Sequence, residues 1–325
     1  MAETAHWRAR PEGGGRFAIW LIRTIVLRLG RPVGRALLYP ITAYFLLRRP
    51  AERAASRAWL ARALGRPPRW WQVARHIHTF AAVILDRPLL LTRSVDDYQI
   101  RTSGLDPLHD SMDRGRGVLL LGSHLGSFEV LRVLSQKRPN ARVAVLLERS
   151  QNPALTRLLD ELNPDLACRI IDLGLPPAEL MLKIKDEAER GALIGLLGDR
   201  RRPGEPGLPA RFMGDPAWFP TAPWLIAKAL QLPVHLCFGL YRGGRRYDLH
   251  FETFAERVEL PRGDRQAALA DLVQRYAQRL EHHARSAPYN WFNFYDFWIA
   301  DAPSPPARRL ADRPVPAAPG GGGSA

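Results

Sequence analysis

The sequence predicts an α/β fold: a mostly parallel sheet flanked by helices, preceded by an N-terminal hydrophobic helical region that anchors the chain to a membrane. Three observations carry this expectation. From residue 117 onward, short apolar runs alternate with stretches of helical period. The runs are almost continuously apolar, as strands buried on both faces are. Ahead of them, residues 16–48 hold two apolar stretches, about 17–29 and 36–47, joined by GRPVGR.

Residues 1–15 are polar and glycine-rich and read as a flexible tail. Neither apolar stretch of 16–48 reaches the roughly 18–20 residues of a spanning helix. Arg23 and Arg28 interrupt the first and Pro40 the second, and no small-residue cleavage site follows. The expected structure is an anchor dipping into one leaflet, its arginines reaching back to headgroups. An amphipathic core pair and a bent spanning helix fit the same pattern. AERAASRAWLARAL and QVARHIHTFAAVILDR then show helical spacing, and Trp70-Trp71 between them suits a membrane interface or a core corner.

Within the domain expected over 49–301, GVLLLGS is the first buried strand, followed by a helix FEVLRVLSQK. ARVAVLLER is the second strand; the helix NPALTRLLDELN after it is capped by Asn152 with Pro153 at its first position. CRIIDL, the helix PPAELMLKIKDEAERG and the strand ALIGLLGD follow, and a long Arg/Pro/Gly-rich loop covers 199–219. Then come helix TAPWLIAKALQ, strands VHLCFGLYR and RYDLHFETF, and a helix over 264–286. The GGR between those two strands predicts a hairpin at the sheet edge. Residues 302–325 are Pro/Ala/Gly-rich, read as a disordered tail, and end in the linker-like GGGGSA.

The 325 residues carry a formal charge of +15, with 47 basic against 32 acidic residues. Such a field attracts anionic partners: a phospholipid surface, nucleic acid or an acidic protein. No nucleic-acid recognition motif accompanies it, so no nucleic-acid partner is expected. Cys168 and Cys237 lie in apolar runs and not in a C-x-x-C pair, so they read as small buried thiols and no disulfide framework or cysteine-based metal site can be read from them. Neither a metal nor a cofactor is expected.

The chemistry concentrates in GSHLGSFE. His124 stands at the carboxyl end of a parallel strand, the edge where ligands gather in open α/β sheets. Glu129 lies five residues on, about 500° along a continuous helix, which would point the two side chains apart. With His124 on the turn and Glu129 in the first helical turn, the carboxylate can fold back to the imidazole. Gly122 and Gly126 permit a tight turn there. Such a pair does general-base work: the carboxylate fixes the tautomer and the other ring nitrogen takes a hydroxyl proton. Ser123 does not sit in a nucleophile elbow, because Leu121 occupies the place of the first glycine. Direct transfer is therefore favoured over an acyl-serine intermediate.

The pattern His124-x4-Glu129 after an apolar strand resembles the signature of the glycerolipid and lysophospholipid acyltransferase superfamily, and is similar above all to the late acyltransferases of lipid A biosynthesis. Three further blocks agree in order: Arg149 in LLERSQNPALTRLLDELN, Asp199 in ALIGLLGDRRRPGEPGLPARFMG, and the helix from Pro220 to Ala229 ahead of Pro233-Val234. The resemblance covers most of residues 16–298. It implies transfer of a fatty acyl chain from an acyl carrier protein, or from acyl-CoA, to a hydroxyl of a membrane lipid or glycolipid acceptor, at the cytoplasmic face of an inner membrane. His124 would be the base and Glu129 its orienting partner. Arg149 would meet an anionic group of a substrate or shape the oxyanion environment, and Asp199 would hold the loop or Arg149. Ser127 and Arg200 join them as substrate-binding candidates; Arg200, Arg201 and Arg202 would face phosphates or the acidic carrier, or form a solvated loop.

One segment departs from the lipid A pattern. The basic W-x-H-R-R stretch of those enzymes is replaced by APYNWFNFYDFW, residues 287–298. This resembles members associated with aryl-polyene and polyketide pathways and puts the lipid A disaccharide in doubt as acceptor. Lysophospholipid, ornithine-type lipid and glycolipid acceptors stay open. The segment itself closes an acyl tunnel, sits at a membrane interface or packs a final helix. A non-enzymatic basic membrane scaffold is the competing class; it would not need both His124 and Glu129.

Overall fold

The computed structural model describes residues 15–92, 95–131, 134, 141–151, 156, 170–202 and 204–298. In chain order the elements are α1 (Gly15–Arg48), α2 (Pro50–Leu64), α3 (Trp70–Thr92), β1 (Gln99–Ser103), α4 (Leu105–Asp113), β2 (Val118–Gly122), β3 (Val143–Leu147), β4 (Ile170–Asp172), α5 (Pro177–Glu189), β5 (Leu193–Leu197), β6 (Gly207–Phe212), β7 (Asp215–Pro220), α6 (Ala222–Leu230), β8 (Val234–Gly243), β9 (Arg246–Ala255) and α7 (Arg265–Ser286). The helices expected over 128–137 and 152–163 lie largely outside the described residues, as do Cys168 and nearly all of both tails. A single 3-10 turn, Glu129–Leu131, is described after the His124 segment.

Seven strands form one sheet in the order β1-β9-β8-β2-β5-β3-β4. Every neighbouring pair is parallel except β8 with β9. The apolar runs explain why. All five residues of β2 are buried, and successive side chains feed opposite cores. Leu119 and Leu121 join Ile194, Leu196, Trp224 and Tyr276 on one face. Val118 and Leu120 join Leu193, Cys237, Leu249 and residues of α1 and α3 on the other. Helix α7 buries Leu269, Leu272, Val273, Tyr276, Ala277, Leu280 and Ala284, a stripe at three- and four-residue spacing.

Two expectations need correction. The β8–β9 hairpin is present but does not end the sheet, because β1 pairs in parallel outside β9. β1 reads QIRTS, with alternate residues exposed, so it lacked the apolar run that marked the other strands. The expected loop over 199–219 contains a separate antiparallel hairpin, β6 with β7. Its two-residue link, Met213-Gly214, has positive φ at both positions (53° and 93°), the geometry of a tight hairpin turn.

Helix α1 kinks at Gly30, where φ is 83° and ψ 172°. Beyond the kink it packs on α3, with Leu38 in the core shared with the sheet. Arg31 is buried rather than turned to headgroups. Its Nε donates to Asp86 Oδ1 at 2.6 Å and Nη2 to Oδ2 at 3.0 Å, while Tyr247 O–H donates to the same carboxylate at 3.0 Å. Arg31 also donates to the Gly244 carbonyl, so one ion pair ties α1, α3 and the β8–β9 turn together. Among the described residues no helix is long and apolar enough to cross a membrane. The membrane-anchoring role expected for 16–48 thus gains no support from a spanning element.

Asp86 is fully buried. Truncating it by Asp86→Ala leaves the Arg31 guanidinium without its charge partner inside the protein, which should cost about 3–5 kcal/mol of unfolding free energy in a denaturant titration. A loss below about 1 kcal/mol would show that the pair does not hold the N-terminal helix to the domain.

Candidate active site

Strand register sets the site. Gly122 at the end of β2 pairs with Leu197 at the end of β5. His124 and Asp199 each lie two residues past that row, so the two chains leave the sheet side by side. The Gly122 carbonyl accepts from the Gly198 N–H at 3.0 Å and from the Tyr276 hydroxyl at 2.8 Å, which fixes both exits. Arg149 follows β3 at the same edge, and its backbone N–H donates to Asp172 Oδ1 at 3.3 Å.

Asp199 Oδ1 receives two bonds from His124, one from the backbone N–H at 3.0 Å and one from ring Nδ1 at 2.8 Å. Oδ2 accepts from Asn293 Nδ2 at 3.1 Å. A carboxylate only accepts, so Nδ1 carries the ring proton and Nε2 keeps its lone pair. The His124 side chain is 27% exposed and Asp199 not at all, so the imidazole can be reached while its partner cannot. Burial alone would raise the Asp199 carboxyl; His124, Arg200 and Asn293 outweigh it and hold the group at about 2. Burial, helped by the charge of Arg200, pushes His124 below its ordinary value despite Asp199. The ring is therefore neutral near pH 7, and a carboxylate stands ready to stabilise the imidazolium.

Glu129 does not occupy the position expected of it. Its Oε1 lies 2.5 Å from Arg87 Nε on α3, and its Oε2 accepts from Ser127 Oγ at 2.9 Å. Among the described residues the His124 ring bonds Asp199 and not Glu129. The physical reason is the turn. Gly126, with φ +78°, swings the backbone so that Ser127 N–H bonds the Gly239 carbonyl at 2.8 Å, and this carries Glu129 toward α3. A Cβ on Gly126 would lie 1.9 Å from that same carbonyl oxygen, so only glycine fits.

The C-terminal segment completes the site. Phe292 N–H donates to the His124 carbonyl at 2.8 Å, and Gly126 N–H donates to the Asn290 carbonyl at 2.8 Å, bracketing a short bridge between Leu125 and Trp291. Residues 287–298 are thus irregular and packed rather than helical, with turns at either end of the bridge: Trp291 and Phe297 are buried among Trp59, Phe212 and Phe219, and Asn293 is buried against Asp199 and Arg200. His76 on α3 braces this segment, accepting at Nδ1 from Ser56 Oγ at 2.8 Å and donating from Nε2 to the Trp291 carbonyl at 2.9 Å. Burial lowers His76 to about 4, so the brace is neutral.

The arginine run is engaged with the protein. Arg200 donates to Asn293 Oδ1 at 2.5 Å and to the Phe292 carbonyl at 2.9 Å. Arg201 lies over the Trp218 ring, and Arg202 pairs with Glu205 at 3.2 Å and donates to the Leu173 carbonyl. The structure therefore joins His124 and Asp199 directly, brings Arg200 to Asp199 through Asn293, places Ser127 with Glu129, and leaves Arg149 at the same edge beside Asp172. Asn293 and Arg87 were not identified from the sequence. The available signal for Asn293 was a polar residue inside an otherwise aromatic run; for Arg87 there was none.

The family model for bacterial lipid A biosynthesis acyltransferases matches residues 6–299. The match spans nearly the whole chain, and the chain belongs to this family. No curated protein matches the sequence.

Proposed function

We propose, from membership of the lipid A biosynthesis acyltransferase family, that this enzyme moves a fatty acyl chain from a carrier-protein or CoA thioester to a hydroxyl of a membrane lipid or glycolipid. The observation that carries the reading is the bond from His124 Nδ1 to the buried Asp199. It leaves Nε2 as the basic nitrogen. The acceptor hydroxyl gives its proton to Nε2 as its oxygen attacks the thioester carbonyl. The C–S bond then breaks, and the imidazolium returns the proton to the departing thiolate. Asp199 holds the tautomer and offsets the transient positive charge, the role first assigned to Glu129. Glu129 instead positions the turn through Arg87 and Ser127. Arg149 at the same edge is assigned to an anionic group of a substrate. Arg200 acts through Asn293, and its charge adds to burial in keeping His124 neutral.

For the acceptor, the packed APYNWFNFYDFW segment argues for a lipid other than the lipid A disaccharide. It stands where the related enzymes carry a basic stretch, and it lies against the His124 turn. The resemblance to members of aryl-polyene and polyketide pathways points the same way.

The reaction is assigned to the cytoplasmic face of the inner membrane. Leu29, Val33, Tyr44 and Leu47 on α1 are exposed and fall at helical spacing, and Trp70 and Trp71 are exposed at 72% and 42%. Arg28, Arg48, Arg57, Arg66 and Arg69 lie exposed in the same elements or beside them. An apolar stripe with tryptophans and arginines suits a helix lying in the interface of an anionic membrane.

Two measurements test this. His124→Ala should lower kcat/KM for transfer of a labelled acyl chain to extracted membrane lipid by about 10²–10⁴-fold. In the wild type, activity should fall with acid as the imidazole protonates, with a midpoint below the ordinary 6.5. Near-normal transfer by the variant, or an acid limb above 6.5, contradicts the base. Separately, replacing Tyr44, Leu47 and Trp70 by serine should sharply reduce co-sedimentation with phosphatidylglycerol vesicles while thermal unfolding is preserved. Unchanged sedimentation would place the membrane contact elsewhere.

A further inference from the structure

The chain between Glu52 and Asp86 holds six arginines and no acid. It forms most of α2, the corner over 65–69 and the first part of α3. Three of the six arginines are engaged with the protein. Arg53 donates to the Leu46 carbonyl, Arg62 pairs with Asp215 at 2.8 Å, and the Arg75 guanidinium lies 4.4 Å from the centre of the Tyr289 ring. Arg57, Arg66 and Arg69 are exposed at or beside the corner. A solvated arginine patch with no counter-charge in its own segment attracts anions.

The corner is concave. An open cavity of about 590 Å³ lies between α2 and the loop over 65–69, a volume within the range of small-ligand sites. Arg57 and Arg66 both line it, and Ala58, Ala61, Pro67 and Pro68 add no polar side-chain atom. The loop is already held in place. Gln72 is buried; its Oε1 accepts from the Arg69 backbone N–H at 2.9 Å and from Arg66 Nη1 at 3.3 Å, and its Nε2 donates to the Tyr289 hydroxyl at 3.2 Å. Trp70 and Trp71 follow directly and are exposed. Tryptophan settles at the headgroup level of a bilayer, and lipid phosphates lie at that depth too.

We propose that the cavity at the α2–α3 corner binds the phosphate of an anionic membrane phospholipid, clamped by Arg57 and Arg66, with Trp70 and Trp71 seated at the same depth. The proposal rests on the membrane-contact reading above and deepens it, because the contact becomes selective for the headgroup. A guanidinium offers a phosphate two parallel N–H donors, which an ammonium does not. The tryptophans favour a lipid over an acidic protein as the occupant. An acidic helix would satisfy the arginines and leave two adjacent indoles in water, whereas the interface of an anionic bilayer takes up both.

The test is sedimentation of the full-length purified protein with vesicles of phosphatidylcholine alone or mixed with phosphatidylglycerol. Wild type is compared with Arg57→Lys/Arg66→Lys, which keeps the charge and loses the fork, and with Arg262→Gln/Arg265→Gln, which removes two exposed arginines ahead of and at the start of α7. All three should unfold at the same temperature, since the replaced side chains are exposed. Wild type should bind mixed vesicles about tenfold or more tightly than phosphatidylcholine; Arg57→Lys/Arg66→Lys should lose about five- to tenfold of that preference and the remote variant less than about twofold. Equal binding of mixed vesicles by wild type and Arg57→Lys/Arg66→Lys overturns the clamp and leaves a general attraction of charge. Binding of inorganic phosphate, or of an acidic acyl carrier protein, that is lost in Arg57→Lys/Arg66→Lys while its vesicle preference stands gives the cavity to that occupant and overturns the lipid. Wild type that sediments with neither vesicle overturns the membrane-contact reading itself, so the two failures are distinguishable.

Discussion

A carboxylate shut off from solvent keeps its charge only where the protein supplies bonds to replace water. Asp199 is such a group, and most of what surrounds the site can be traced to holding it charged. His124 bonds it twice, through backbone and ring, and Asn293 takes the other oxygen. Arg200 reaches Asn293 in turn and supports the charge from a distance. Remove the carboxylate and the imidazole loses its tautomer, the His124 backbone loses an acceptor, and the Asn293 amide nitrogen loses its acceptor. The parallel register of β2 and β5 is what makes the arrangement possible, since it delivers residues from distant parts of the chain to the same level of the sheet edge.

The second constraint is closure from the C-terminus. Residues 287–298 add an irregular strip beside the His124 turn, pinned by Phe292 to His124 and by Asn290 to Gly126. That strip is anchored by an aromatic cluster around Trp59, Phe212 and Trp291 and braced by the neutral, buried His76. Site and core are therefore coupled: the residue that fixes Asp199 is two positions from a tryptophan at the centre of the apolar packing. On the other side, the Glu129–Arg87 pair links the turn to α3 and, through Arg31 and Asp86, α3 links to the N-terminal helix.

The sequence made the strand–helix alternation, the buried parallel strands and the position of His124 legible, because each depends on local apolar pattern or chain adjacency. It could not show strand order. Without that order, the nearest acid along the chain, Glu129, was the natural partner for His124, whereas the actual partner comes from the neighbouring strand. Asp199 was noticed, but for its strand-end position rather than this contact. β1 escaped because its half-exposed QIRTS has no apolar run, and the β6–β7 hairpin because proline and glycine read as loop and a methionine is not a residue expected at positive φ. Asn293 was hidden in an aromatic segment whose packing only the folded chain reveals.

The bond between His124 and Asp199 can be observed directly by nitrogen NMR of histidine-labelled protein across a pH titration. The wild-type ring should carry its proton on Nδ1 in the neutral form and titrate below 6.5. Asp199→Asn should loosen the tautomer and move the midpoint further down, because a stabilising negative charge is lost. Glu129→Gln should leave the Nδ1–H tautomer in place. A wild-type ring protonated on Nε2, or a tautomer that changes with Glu129→Gln and not with Asp199→Asn, would return the orienting role to Glu129 and contradict the site described above.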